Sequence, residues 1–184
     1  YRASFFAQNC LFASFMGITL IIPLFVQNVQ GGTALDAGIV FIPPTILAVV
    51  FNPLAGILSD RIGPRPVVIG GALFLAAGAI AMVSMDEATP LGLLTLMQTV
   101  RGIGVSTLIG PLNSWGMRQL PHAIMVDGSA FFTTVRQACA SLGTALMMLI
   151  IAAAGATAFA YDMALALSAA LSLAVLACVA WKVR

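Results

Sequence analysis

The sequence predicts an all-α membrane protein with six transmembrane helices. Three observations lead there. Of its 184 residues, 61% are hydrophobic and only 8% charged, and the mean hydropathy is +1.07. A soluble domain carries about 25% charged residues, and a small fold cannot hide this much apolar surface from water. The apolar residues fall into six runs, each near the roughly 20 residues that cross a bilayer. The basic residues outside those runs all fall on one side of the resulting bundle.

The first span is predicted over 4–26. The second covers 37–58 and is interrupted by Pro43, Pro44 and Pro53. The third covers 66–82. The fourth covers 91–113 and extends toward Met117. The fifth covers 128–154 and the sixth 163–183. The runs are too long and too rich in Ala, Leu and Gly for barrel strands, so all six read as helices.

Short joints separate them. Gln30-Gly31-Gly32-Thr33 is a turn, and Asp86 to Pro90 is another, with Pro90 suited to starting a helix. Residues 155–162 form the last joint on that face. The opposite face holds the Asp60–Arg65 stretch, charged and broken by Gly63 and Pro64, and the longer joint 118–127. Such a stretch between spans belongs at a membrane surface. No linker or low-complexity segment divides the chain, so 1–184 is one domain. Tyr1-Arg2 enters a span almost at once, which suggests a piece of a longer protein.

With six helices both chain ends share a side. Arg2, Arg61, Arg65, Arg118, Lys182 and Arg184 then fall there, and the other face has Asp36, Asp86, Glu87 and Asp162 but no Lys or Arg. The positive-inside rule makes the basic side cytoplasmic and both ends with it. One span more or fewer would scramble this pattern.

The third and sixth spans are nearly all apolar and small, and read as outer, lipid-facing helices. The polar residues sit on the first (Gln8, Asn9, Thr19), the fourth (Gln98, Arg101, Ser106, Asn113) and the fifth (Arg136, Gln137, Ser141). Polar groups in hydrocarbon need partners or water, so these helices should face the interior or a wet cavity. Arg101 lies roughly 16 Å past Pro90, and Arg136 roughly 14 Å past Asp127, at 1.5 Å per residue. Both are near mid-depth in a core about 30 Å thick. A lipid-facing Arg there costs at least about 2.5 kcal/mol. The functional reading is substrate-path or proton-coupling electrostatics; the bland one is snorkelling or a structural bond to backbone carbonyls. No Asp or Glu lies at mid-depth, so a proton-carrying acid would have to lie elsewhere.

The face Phe5-Asn9-Phe12-Met16-Thr19 mixes aromatic and polar groups, as a ligand pocket would, although helix packing also explains it. Gly102, Gly104, Gly110 and Gly116 thin the fourth helix, for close packing first and hinge motion second. Other signals fail. Cys10, Cys139 and Cys178 lie inside apolar runs and read as packing residues. His122 stands alone in a joint, so no metal site is expected. Gly102-Ile103-Gly104 lacks the strand a dinucleotide loop needs. A net charge of +2 without a basic tract argues against nucleic acid. No catalytic constellation is visible, so the chain does not read as an enzyme.

Several motifs carry a family resemblance. Gly56-x-Leu58-x-Asp60-Arg61-x-Gly63-x-Arg65 resembles the signature loop of the major facilitator superfamily, in the copy between the second and third helices of the C-terminal half. Four more stretches resemble EmrB/QacA-type drug:proton antiporters. They are Pro23-Leu24-Phe25-Val26-Gln27, then Gly31 to Gly38 with Ile42-Pro43, then Arg101-Gly102-Ile103-Gly104 running to Gly110-Pro111-Leu112, and Arg136-Gln137-x-x-x-Ser141-Leu142-Gly143-x-Ala145.

The resemblance implies a half-bundle of two inverted three-helix repeats. It would pair with an N-terminal six- or eight-helix half of the same transporter. The first and fourth helices would line the cavity and, with the polar face of the fifth, place Asn9, Phe12, Met16, Gln98, Arg101, Asn113, Arg136 and Gln137 along the transport path. The third and sixth would lie outside. The loop of Gly56, Asp60, Arg61, Gly63 and Arg65 would latch helix ends, with Asp60 pairing a basic group and Arg61 and Arg65 holding acidic or carbonyl partners. Pro64 and Pro66 depart from that pattern, where basic residues are commoner. The implied activity is proton-coupled efflux of drugs or small metabolites across a bacterial plasma membrane. The proton gradient, not a resident cofactor, would drive it, and the partners would be a small hydrophobic substrate, protons and the lipid bilayer. An importer or metabolite carrier of the same superfamily, or a non-transporting six-helix membrane subunit, are the rival readings.

Overall fold

The computed structural model describes residues 2–85, 88–118, 125–155 and 157–182. Asp86, Glu87, His122, Arg184 and most of the joint 118–127 lie outside the described residues. Among the described residues seven helices form: α1 (Arg2–Asn28), α2 (Ala34–Ile39), α3 (Ile42–Ile62), α4 (Pro64–Val83), α5 (Leu91–Met117), α6 (Met125–Ala153) and α7 (Ala158–Lys182). Six stretches are long and apolar enough to cross a membrane, α2 and α3 counting as one.

The expected second span is therefore two pieces. Thr33 starts α2 with a reciprocal cap: its Oγ1 accepts from the Asp36 amide at 3.2 Å, and Asp36 Oδ2 accepts from the Thr33 amide at 2.8 Å. The helix lasts six residues, and the chain breaks at Val40-Phe41. Pro43 and Pro44 then sit in the first turn of α3, where a missing N–H leaves nothing unbonded. Pro53 stays inside α3, and Pro23 and Pro111 inside α1 and α5. The outer joints are tied together by Gln30, whose Nε2 donates to the Thr89 carbonyl at 2.9 Å.

The charged stretch is tighter than the sequence suggests. Asp60 and Arg61 belong to the last turn of α3, and Arg65 to the first turn of α4. The joint between them is Gly63 alone, at φ +90°, a conformation that side-chain-bearing residues rarely adopt.

The helix pairings carry a two-fold pattern. α1 packs on α6 as α5 packs on α3. α1 packs on α7 as α5 packs on α4. α3 meets α4 as α6 meets α7. The pairs α1/α5 and α4/α7 map onto themselves. Exchanging α1, α3, α4 for α5, α6, α7 thus preserves the contacts, and with three spans per repeat the two copies run in opposite directions. This is the half-bundle of inverted three-helix repeats that the motifs imply.

α4 and α7 turn Leu73, Phe74, Ile80 and Leu173 outward, and their other faces pack on α5, on α1 and on each other. Few residues of α3 and α6 are buried within the chain, whereas about half of those in α4 are. α3 and α6 are its open flanks.

Two apolar clusters fill the interior. One gathers Ile18, Ile22, Phe25, Met82, Leu94 and Leu165. The other gathers Leu11, Leu75, Val105, Leu108 and Val175. Glycines set the closest approach between α4 and α5. A Cβ at Gly104 would overlap the Leu75 backbone, and one at Gly78 would lie 2.6 Å from the Arg101 Cβ. At Gly70, about two turns away from Gly78 on α4, a Cβ meets nothing within 4 Å. Gly104→Ala should therefore destabilise the full-length protein by about 1–3 kcal/mol, as overpacking does. Gly70→Ala should leave it at least as stable, and the thermal unfolding midpoint in detergent reads both.

Candidate functional site

The residues expected along one path fall into separate places. Gln98 and Arg101 lie on α5, buried at the centre of the bundle. Phe12, Met16, Arg136 and Gln137 gather where α1 meets α6. Asn9 shares the α1 face of Phe12 and Met16 at helical spacing and is half-buried. Asn113 is exposed toward the far end of α5, beyond Pro111. The face Phe5-Asn9-Phe12-Met16-Thr19 is split: Met16 opens toward α6, whereas Thr19 opens toward α3 and α5.

Arg101 is the largest fully buried side chain among the described residues. Its Nη2 donates to the Ser14 carbonyl on α1 at 3.1 Å. Ser14 in turn reaches α7: its Oγ lies 2.6 Å from Ser168 Oγ and 3.3 Å from Ser172 Oγ. Gly78 brings the α4 backbone against the Arg101 stem. Four helices thus meet around Arg101 and the Ser14 that it bonds. Nε and Nη1 of Arg101 have no hydrogen-bond partner, and neither has Oε1 of Gln98. Both residues line a cavity of about 360 Å³ between α1, α3 and α5. Phe15, Phe41 and Pro44 supply its apolar wall; Thr19, Thr45 and Asn52 add polar groups.

Arg136 is treated differently. Its guanidinium carbon sits 4.4 Å from the centroid of the Phe12 ring. A cation over an aromatic face gains about 0.5–2 kcal/mol, so this arginine is partly compensated inside the chain. Gln137 is exposed and lines an open groove along α6 with Ser129, Thr133, Thr134 and Ser141. A second groove, of about 370 Å³, runs between Met16 and Thr144.

At the basic end, Arg118 Nη2 lies 3.2 Å from Asp60 Oδ1. The pair joins the C-terminal ends of α3 and α5. Asp60 opposes the α3 dipole there, whereas Arg118 suits the end of α5. The side chains are 70% and 72% exposed, so the bond contributes at most about 1 kcal/mol. It is a contact that can be made and broken, not a source of rigidity. Arg61 and Arg65 are exposed and have no ion-pair partner among the described residues.

Sequence reasoning missed Ser14, Ser168 and Ser172, because serines at helical spacing in Ala-rich spans resemble small packing residues. It also missed Asn52, although an amide just before Pro53 in an apolar helix was a signal. Cys10 is buried, and Cys139 and Cys178 half-buried, in the helix packing.

The Major Facilitator Superfamily profile matches residues 4–184. The chain belongs to that superfamily. Among curated relatives it is 35% identical to the MFS-type transporter YhcA of Bacillus subtilis (strain 168), over 71% of this chain and 24% of that protein. It is 31% identical to the lincomycin resistance protein LmrB of Listeria monocytogenes, over 78% of this chain and 31% of that protein. It is also 31% identical to the multidrug resistance protein B homolog of Mycobacterium tuberculosis, over 77% of this chain and 26% of that protein. The chain thus spans between a quarter and a third of the length of the curated relatives it matches. The drug-transporter resemblance of its motifs is supported by these names, and a superfamily of transporters is consistent with a protein that is not an enzyme.

The Arg136–Phe12 contact makes a direct prediction. Phe12→Leu should lower the stability of the full-length protein by about 0.5–2 kcal/mol, whereas Phe12→Tyr, which keeps the ring face, should not. Thermal unfolding of the two variants side by side checks it.

Proposed function

We propose that this chain is the C-terminal half of a proton-driven exporter of drugs or small metabolites. It works by alternating access against an N-terminal six- or eight-helix half. The observation that carries the reading is the open pair of flanks, α3 and α6, on a half-bundle whose other four spans pack on one another. A second bundle covering those flanks would enclose a passage between the halves, as inverted-repeat transporters do. The resistance proteins among the relatives support efflux of small hydrophobic compounds.

No Asp or Glu lies at mid-depth in the spans of this chain, which places the proton-carrying acid of this reading in the other half. The concentration of Lys and Arg at one end favours a bacterial plasma membrane protein with that end, and both termini, in the cytoplasm. Asp60 and Arg118 then form a cytoplasmic clasp between α3 and α5. A clasp made in one state and broken in another biases the inward/outward equilibrium only by the difference in its strength. At about 1 kcal/mol that is roughly a fivefold shift in population.

Two outcomes follow for the intact transporter in proteoliposomes. Asp60→Asn slows transport several-fold and leaves substrate affinity nearly unchanged, and the exchange Asp60→Arg with Arg118→Asp recovers part of the rate. A large loss of affinity in Asp60→Asn would instead make Asp60 a binding residue. Arg101→Ala abolishes transport while the protein still reaches the membrane; normal efflux by that variant removes Arg101 from the mechanism.

A further inference from the structure

We propose that the cavity between α1, α3 and α5 is a binding site for the carboxylate of a small aromatic or otherwise apolar acid, with Arg101 as its counter-ion. The inference rests on the transport reading for the use of the site, not for its existence.

The argument starts from an imbalance of charge. Arg101 is fully buried and makes one hydrogen bond, to the Ser14 carbonyl. A guanidinium has five N–H donors, and two of the three Arg101 nitrogens, Nε and Nη1, meet no acceptor. An uncompensated buried charge is strongly destabilising. Among the described residues no acidic side chain lies at that depth: Asp36, Asp60, Asp127 and Asp162 lie within the first or last two turns of their helices. Arg136 has an aromatic ring to stack on; Arg101 has no comparable partner among the described residues. An anion from outside these residues would neutralise it.

The surroundings say what kind of group. The unpartnered Nε and Nη1 are charged N–H donors, and a carboxylate oxygen is the acceptor that bonds such donors most strongly. The neighbouring Gln98 is buried, with its own Oε1 unpaired, so its amide can turn to serve a ligand as donor or acceptor. The cavity has about 360 Å³, within the range of small-molecule sites, and more than a single carboxylate side chain requires. Phe15, Phe41 and Pro44 offer flat apolar surface to the body of such an acid. The same positive charge excludes cationic amphiphiles from the pocket.

The test uses the purified full-length transporter and three matched ligand sets built on phenyl, naphthyl and indolyl groups. Each set has an acid, its amide and the corresponding methylamine, for example 2-naphthoate, 2-naphthamide and 2-naphthylmethylamine. Binding is measured by isothermal titration in detergent. The expected order is acid, then amide, then amine, with at least tenfold between acid and amide in one set or more. Arg101→Gln should level the series, and Arg101→Lys should keep the order. If Arg101→Gln does not yield a monodisperse protein, the wild-type order together with Arg101→Lys decides.

Equal binding of acid and amide overturns the proposal, and so does failure of all nine compounds at millimolar concentration. That result is expected if water, or a carboxylate of the other half, already satisfies Arg101. Preferential binding of the acid with no transport of any compound sinks the transport reading and leaves the site standing. Transport that treats the three classes alike sinks the site and leaves transport standing.

Discussion

The half-bundle is arranged around one buried cation. Arg101 reaches from α5 to the backbone of α1, Ser14 carries the polar contact on to α7, and the glycine face of α4 makes room for the arginine stem. Leu and Ile would fill this space at lower desolvation cost. A charge kept here fixes the relative depth of α5 and α1, because sliding either by a turn would strand it in hydrocarbon. Within a membrane such a restraint is more decisive than apolar packing, since lipid tails compete with side chains for every apolar surface.

Around that centre the two repeats differ in how they treat their arginines. In one, Arg101 is enclosed beside a cavity. In the other, Arg136 lies half-buried on an aromatic ring, next to grooves that open on the flank of α6. A two-fold arrangement of helices therefore carries an asymmetric distribution of solvation.

Much of this was legible in the sequence, and the reasons for the gaps are physical. Six apolar runs separated by short joints mark spans, so their ends came out within a few residues. The mid-depth arginines were visible because charge in a span is rare. Their partners were not. The Ser14 carbonyl that receives Arg101 leaves no trace in a side-chain pattern, since every residue has one. Thr33 and Asp36, which cap α2, and the Pro43-Pro44 pair that restarts the chain were present in the sequence, but an apolar run of the right length hid the break between them. The α1 face from Phe5 to Thr19 read as one surface because its spacing is helical. The structure divides it, since a central helix has neighbours on both sides and a stripe that wide spans the seam between them.

The Gly63 joint has a mechanical meaning for the ends of α3 and α4. With one residue between the helices, neither can slide along its axis without dragging the other. What remains free is rotation about the two backbone bonds of that glycine, like a crank turning on a single pin. Loosening Asp60 from Arg118 would therefore translate into a swing of α3 against a stationary α4. A chain lengthened by even one residue there would absorb the swing as slack.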